Sequence, residues 1–406
     1  MAHNFPQGFF WGAATSSHQV EGGNTNDWTE WEGLGRVKNG SQSGLAADHF
    51  HRFRDDFSLA KKLGHNAHRL SIEWSRIEPT IGVFDSVAIA HYREVFQTLR
   101  QQGLEPFVTL HHFTNPIWFA KLGGWEKRKN IDHFLRFVER MAKEFSSEVR
   151  YWITINEPTV YTSLGYLDGR WPPQRKSYRR AWVAIRNLLH AHRGAYAILH
   201  RYRADAYVGS ANNLVDYQAH RRWHLGDQIM KFFATFWHNT WWLSRTKNSQ
   251  DFLGLNYYFY HALRFRLAWP AQLFAPEANP SRPQSDLGWE INPTAFGRVL
   301  RWLSRYHKPI IITENGIADA TDRLRPSFII EHIREIQSAI RDGVDIRGYL
   351  HWSLLDNFEW ADGFGPRFGL IKVDYVTQQR TPRPSAFVYE KICRSNGGAL
   401  DDLQSI

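Results

Sequence analysis

Short runs of β-branched and aromatic residues recur along the chain. Each is followed by a longer stretch with apolar residues at helical spacing. Residues 9–16 read as a first strand, apolar and then small. Residues 46–63 follow as a helix with Phe50, Phe53, Phe57 and Leu63 on one side. The same alternation predicts strands at 65–72, 105–112, within 151–158, 207–213, 252–258, 309–313 and 346–353. The intervening helices fall at 87–102, 131–147, 179–203, 226–243, 293–306 and 327–342, and a last one near 384–394 covers the barrel. The 87–102 helix closes at Gly103, and Ile329, Ile330, Ile333, Ile336 and Ile340 form the stripe of the 327–342 helix. Eight strands alternating with helices, and no repeated Gly-rich phosphate turn, predict an α/β fold. It is a single (β/α)8 TIM barrel rather than a doubly wound sheet. With no Pro-, Gly- or Ser-rich linker and no 20–50-residue repeat, residues 1–406 are expected to form one domain with a loose tail from about 396.

In such a barrel the carboxyl ends of the strands carry the chemistry. Here they present Gln19, Arg69, His112, Asn156, Glu157, Asn213, Asn256, Tyr258, Glu314 and Trp352. Amides, a histidine, an arginine, two carboxyl groups and aromatic rings suit a neutral polyol. Glu157 ends the run Tyr151–Asn156 and precedes Pro158, which predicts an extended Glu157; the same tripeptide could simply start a helix. Glu314 ends a second β-branched run before the turn dipeptide Asn315-Gly316, where an exposed glutamate is the plain alternative. Together, on strands four and seven, the two carboxyl groups point to retaining glycoside hydrolysis, with one as nucleophile and the other as acid and then base. Arg69 is expected to lower the pKa of Glu314, and Tyr258 to donate to it, while burial and the charge of Glu314 raise Glu157. Asn156 is a candidate for a sugar 2-hydroxyl or for a helix cap. Glu359 and Trp360, in the loop after strand eight, could bind adjacent hydroxyls. His111 and His112 point to opposite faces of a strand, His190 and His192 diverge on a helix, and no His-Glu-x-x-His motif occurs. One of His111 and His112 should face the pocket, and no metal or cofactor is expected.

Composition narrows the class. Hydrophobic residues are 43% and charged residues 22%, as in a globular protein. The single cysteine, Cys393, and an N-terminus without a basic-then-apolar leader suggest a cytoplasmic protein. No apolar run of about 18 residues is present, so no membrane span is expected, and neither a membrane nor nucleic acid is expected as a partner. The net charge of +10 could serve nucleic acid, but the basic residues read as scattered. The densest group, Arg175-Lys176-Ser177-Tyr178-Arg179-Arg180, reads as a solvated face. Eighteen Trp suggest sugar stacking only where they sit near strand ends; elsewhere core filling explains them.

The motifs at 9–22, 69–79, 109–116, 154–158, 251–258, 311–316 and 351–360 resemble, in order, the signatures of glycoside hydrolase family 1, the β-glucosidase/β-galactosidase family. The resemblance covers nearly the whole chain. It implies a (β/α)8 barrel and retention of configuration, with Glu157 as acid/base and Glu314 as nucleophile. Gln19, His112, Asn156, Glu359 and Trp360 would hold the non-reducing sugar on the Trp352 platform, with Phe368 near its 6-position. Arg69 and Tyr258 would position Glu314, Asn256 would support Glu157, and Asn213 would lie toward the leaving group. Glu359-Trp360 stands where 6-phospho members lack this pair, which implies an unphosphorylated sugar. The expected substrates are β-glucosides, with cello-oligosaccharides or aryl and alkyl β-glycosides, and galactoside or fucoside side activity. The protein would act as a monomer or homo-oligomer. The alternative is a non-catalytic carbohydrate-binding protein on the same barrel. Two departures stand out. Phe113 replaces the family's common Trp, and only 37 residues separate Asn213 from Asp251, which predicts a more open leaving-group side unless residues 237–242 fill it.

Overall fold

The computed structural model describes residues 5–266, 276–277, 279 and 281–403. Eight parallel strands close a barrel: β1 (Phe10–Ala14), β2 (Ala67–Ser71), β3 (Glu105–His111), β4 (Tyr151–Asn156), β5 (Tyr207–Ala219), β6 (Leu253–Leu263), β7 (Ile310–Asn315) and β8 (Ile346–Trp352). Neighbours pair in chain order around the ring, and β8 returns to β1. Eight outer helices are named here: α1 (His49–Lys62), α2 (Ser86–Gln101), α3 (Ile131–Phe145), α4 (Tyr178–Tyr202), α5 (Leu225–Ala234), α6 (Pro293–Leu303), α7 (Arg325–Arg341) and α8 (Pro384–Arg394). Their inward stripes, such as Phe134, Phe137, Val138 and Met141 on α3, bury against the outside of the strands.

The barrel interior changes character along its axis. At the amino-terminal end Phe10, Phe107, Tyr151, Tyr207 and Phe252 pack ring on ring and close the floor. Toward the carboxyl end the inward residues become polar, beginning with the fully buried Arg69 on β2. The strand register shifts between Ile153 and Asn156, between Leu255 and Asn256, and between Ile312 and Asn315. Bulges re-aim side chains, and these three sit beneath Glu157, Asn256 and Glu314.

Three sequence expectations change. First, β5 and β6 continue well past 213 and 258 and pair with each other up to Ala219 and Leu263. Second, the helix expected over 226–243 is α5, a π-helical turn over Thr235–Thr240, and a further helix over Trp241–Thr246. Third, the tail is not loose over 397–402. It turns through a 3-10 helix that buries Leu400, and Arg334 Nη2 donates to the Leu400 and Leu403 carbonyls.

Candidate active site

Glu157 does not adopt the extended backbone expected before proline. Its φ is 43° and its ψ 60°, in the left-handed region, at the cap of a short helix Pro158–Thr162. Proline bars the right-handed helical conformation for the residue before it. The chain must still turn from β4 into that helix, and the left-handed turn achieves this at a strain typical of functional sites. Asn156-Glu157-Pro158 therefore starts a helix, and it presents its carboxyl group from a left-handed rather than an extended backbone. Glu314 lies on β7, directly in register with Asn256 on β6. Gly316, two residues on, is required by close approach, since a Cβ there would lie 1.7 Å from the Trp352 carbonyl oxygen.

A fixed polar lattice joins the two glutamates. Arg69 Nη1 donates to Glu314 Oε1 and, at 3.1 Å, to the Thr313 carbonyl. Its Nη2 donates to Asn156 Oδ1 at 2.6 Å and its Nε to Thr109 Oγ1 at 3.1 Å. Tyr258 donates its hydroxyl to Glu314 Oε2 at 2.9 Å. Glu157 Oε1 accepts from Asn256 Nδ2 at 2.8 Å and from Asn213 Nδ2 at 3.3 Å. With Oε1 accepting two amides, Oε2 is the oxygen left to carry a proton.

The environments push the pair apart. Burial, then the charge of Glu314, raises Glu157 to about 8. Glu314 is also raised overall by burial, which outweighs the lowering by Arg69 that the sequence led one to expect. The guanidinium and the Tyr258 hydroxyl both oppose that rise and favour the anion. Glu157 has only amide donors, so the negative charge of the pair resides on Glu314.

Across the pocket, Gln19 ties the loop after β1 to the loop after β8. Its Oε1 accepts from Ser16 Oγ at 2.6 Å, and its Nε2 donates to Asn357 at 2.9 Å and to Glu359 at 3.3 Å. Glu359 has no cationic partner among the described residues, and burial followed by repulsion from Asp362 raises it to about 8. Trp360 is held by His18, stacked at 5.5 Å, and by Trp28 and Phe113. Trp352 packs with Ala14 and Phe368. His112 faces the cavity, whereas His111 turns outward to Asn115, Trp125 and Tyr161. Desolvation holds His112 well below the usual histidine range, hence neutral.

These groups enclose a cavity of about 580 Å³. Gln19, His112, Glu157, Asn213, Tyr258, Glu314, Trp352, Glu359, Trp360 and Phe368 all line it. Arg69, Asn256 and Asn156 are not among its lining residues. Arg69 and Asn256 stand behind the lining, bonded to Glu314 and Glu157. Asn156, expected at the sugar, accepts through Oδ1 from Arg69 and Asn256, and its Nδ2 lies 3.3 Å from His112 Nε2. No cluster of three or more His, Cys, Asp or Glu able to hold a metal occurs among the described residues.

The profile of "Glycosyl hydrolase family 1" matches residues 1–246 and 216–398. The chain belongs to glycosyl hydrolase family 1. It is 32% identical to a 1,4-β-D-glucan glucohydrolase of Thermotoga neapolitana, over 97% of this chain and 99% of that protein. A β-galactosidase of Pyrococcus woesei is 30% identical over 97% of this chain and 98% of its own. Among solved structures, a β-glycosidase from Pyrococcus horikoshii superposes with a TM-score of 0.92 at 39% identity, covering 98% of this chain and 96% of that one. The β-glucosidase from Thermotoga maritima in complex with glucoimidazole gives 0.91 at 31%, covering 98% and 100%.

Within this family 1 barrel, the leaving-group side is the part sequence reading missed. Val215 and Tyr217 on the β5 overshoot, Phe259 and His261 on the β6 overshoot, and Trp289 and Trp171 from loops all line the cavity. The segment 237–242 contributes His238 to that rim. Trp241 packs on Trp182 instead, and Trp242 donates to Ser210 Oγ. The rim is therefore partly filled, but by a histidine. Burial lowers His238 to about 4, so it is neutral, and its buried Nε2 has no partner. A further sequence signal for this wall is the aromatic run 257–261, which outlasts a barrel strand.

Proposed function

We propose that the protein is a retaining β-glycosidase acting on terminal β-D-glucosyl residues, with galactosyl and fucosyl substrates accepted, and that the whole chain forms one catalytic unit. The observation that carries this is the asymmetry of two coupled buried glutamates: one bears an arginine and a tyrosine hydroxyl, and the other only amides. Glu314 attacks the anomeric carbon as Glu157 Oε2 passes its proton to the departing oxygen. The glycosidic C–O bond breaks and a glycosyl ester forms. That ester removes the charge which had raised Glu157. Glu157 is then a carboxylate able to take a proton from water, and the water displaces Glu314 from the sugar with a second inversion. Arg69 and Tyr258 hold Glu314 throughout, and Asn256 keeps Glu157 Oε1 occupied so that Oε2 does the proton transfer.

The sugar rests on Trp352, with Gln19, Glu359, His112 and Trp360 at its hydroxyls and Phe368 beside its 6-position. Asn213 and the β5–β6 rim receive the leaving group. The relatives named as a glucan glucohydrolase and a β-galactosidase support both sugar configurations. Steady-state hydrolysis of p-nitrophenyl β-D-gluco-, galacto- and fucopyranosides tests the reading, with NMR of the first-formed anomer for stereochemistry. Release of the β-anomer is expected. Inactivity on all three, or a first-formed α-anomer, refutes it.

A further inference from the structure

The charge of the chain is not scattered. Residues 169–250 hold fourteen Lys and Arg against three Asp, and this one stretch accounts for the whole net positive charge. All three aspartates are ion-paired: Asp205 with Arg203, Asp216 with Arg298, and Asp227 with Arg221. The same stretch carries an apolar face turned outward. On α5 and the π-helical turn after it, Leu225, Ile229, Phe232, Phe233, Phe236 and Trp237 recur at helical spacing and are exposed. Trp223, just before the helix, is 86% exposed, Leu225 74% and Phe232 65%. The opposite face of α5 is buried, with Met230 and Ala234 packed with Tyr217 and Leu263. The helix thus has two apolar sides, and the barrel uses one.

The basic and apolar features meet. Trp237 stacks with the partly exposed Trp182 of α4 at 5.8 Å. One turn before Trp182 lie Tyr178, 80% exposed, and Arg179, and one turn after it lies Arg186, whose guanidinium covers the Trp182 ring. Arg222 lies over Trp223. Lys176, Arg179, Arg186 and Arg222 are exposed and make no ion pair among the described residues. Exposed Trp, Phe and Leu ringed by uncompensated arginines are the composition of a helix that lies in the plane of an anionic lipid surface. A second copy of this chain would bring like charges together, which the same arginines disfavour.

We propose that this face seats the protein on anionic lipid bilayers, with α5 parallel to the membrane plane. The lipid supplies the partner the arginines lack and the apolar phase the rings lack. No described helix is long and apolar enough to cross a membrane, and a surface seat requires none. Tyr217 and His238 line the catalytic cavity and adjoin α5, so the seat lies beside the leaving-group rim.

The test is co-sedimentation of the full chain with phosphatidylglycerol-containing vesicles, with pure phosphatidylcholine vesicles as reference. Binding to the anionic vesicles is expected, weakening as salt is raised. The triple variant Trp223→Ser, Phe232→Ser, Phe233→Ser should lower the partition coefficient at least about tenfold. Its turnover of p-nitrophenyl glucoside in solution should be unchanged, which also shows that it folds. A second variant, Arg179→Glu with Arg222→Glu, should lose the preference for anionic lipid while keeping the apolar face. The proposal is overturned if the wild type stays in the supernatant at low salt, or if both variants bind as it does. It is also overturned if the wild type sediments as a dimer without lipid and the triple variant as a monomer, since the occupant would then be a second copy.

Discussion

The wall built on the ends of β1 and β8 and the wall built on the overshoots of β5 and β6 face each other across one cavity, and they are made differently. On the first, each polar side chain has a named partner: Gln19 bonds Ser16, Asn357 and Glu359, and Trp360 is clamped by His18 and Trp28. On the second, rings meet rings, as Tyr217 does His238 and His261, and His238 Nε2 and Asn213 Oδ1 are left without partners. A prepositioned set of donors and acceptors selects one sugar, because each unmatched group costs about 1–3 kcal/mol. Aromatic surfaces with few polar demands accept many leaving groups. Selectivity should therefore be strict on the β1–β8 side and loose on the β5–β6 side.

The two glutamates between the walls give the largest effects. Glu314→Ala removes the nucleophile and should lower kcat/KM at least about 10⁴-fold on every substrate, or more than about 5 kcal/mol. A loss that depended on the leaving group would place Glu314 on the wrong side of the reaction. Glu157→Ala should discriminate. With a cellobiose-like leaving group the glycosylation step should fall about 10²–10⁴-fold, and with an activated aryl group much less. Equal losses in that step would remove Glu157 from the acid role.

Much of the first wall was readable from the chain. Asparagine, glutamate and histidine at the ends of short apolar runs are out of place in a core, and their order along eight strands located them. The rest was hidden for physical reasons. The left-handed backbone of Glu157 follows from a helix that must begin against proline, which local preference before proline does not reveal. The net rise at Glu314 depends on burial outweighing Arg69, and desolvation is a property of the folded site. That Arg69 and Asn256 both bond the Asn156 oxygen depends on three strands meeting, which no local pattern shows. The sequence predicted a helix over 226–243 but could not show that an apolar face of it would point outward.

Glu359 probes the first wall through pH. Its carboxyl, like that of Glu157, titrates near 8 when folded, far above an unfolded glutamate. Between about 4.5 and 8 the native state holds these protons and the unfolded chain does not, so each group's stabilising contribution declines as pH rises. Glu359→Gln should flatten that decline by one group's share in urea unfolding followed from pH 5 to 8, and should weaken glucoside binding by about 1–3 kcal/mol. An unchanged slope would mean that Glu359 is ionised in the native protein.

The smallest expected effect lies on the second wall, and it sharpens the contrast most. His238 is neutral and lines the leaving-group rim, and its buried Nε2 has no partner among the described residues. A sugar leaving group can donate a hydroxyl to it, whereas nitrophenolate has no hydrogen to give. His238→Phe keeps the ring and deletes the acceptor. It should raise KM for a disaccharide up to about tenfold, near 1.4 kcal/mol, and leave KM for p-nitrophenyl glucoside unchanged. The mirror-image outcome, a loss on the aryl substrate alone, would show that the wall works by stacking only. Equal losses on both would show that His238 holds the β5 overshoot in place and touches no substrate.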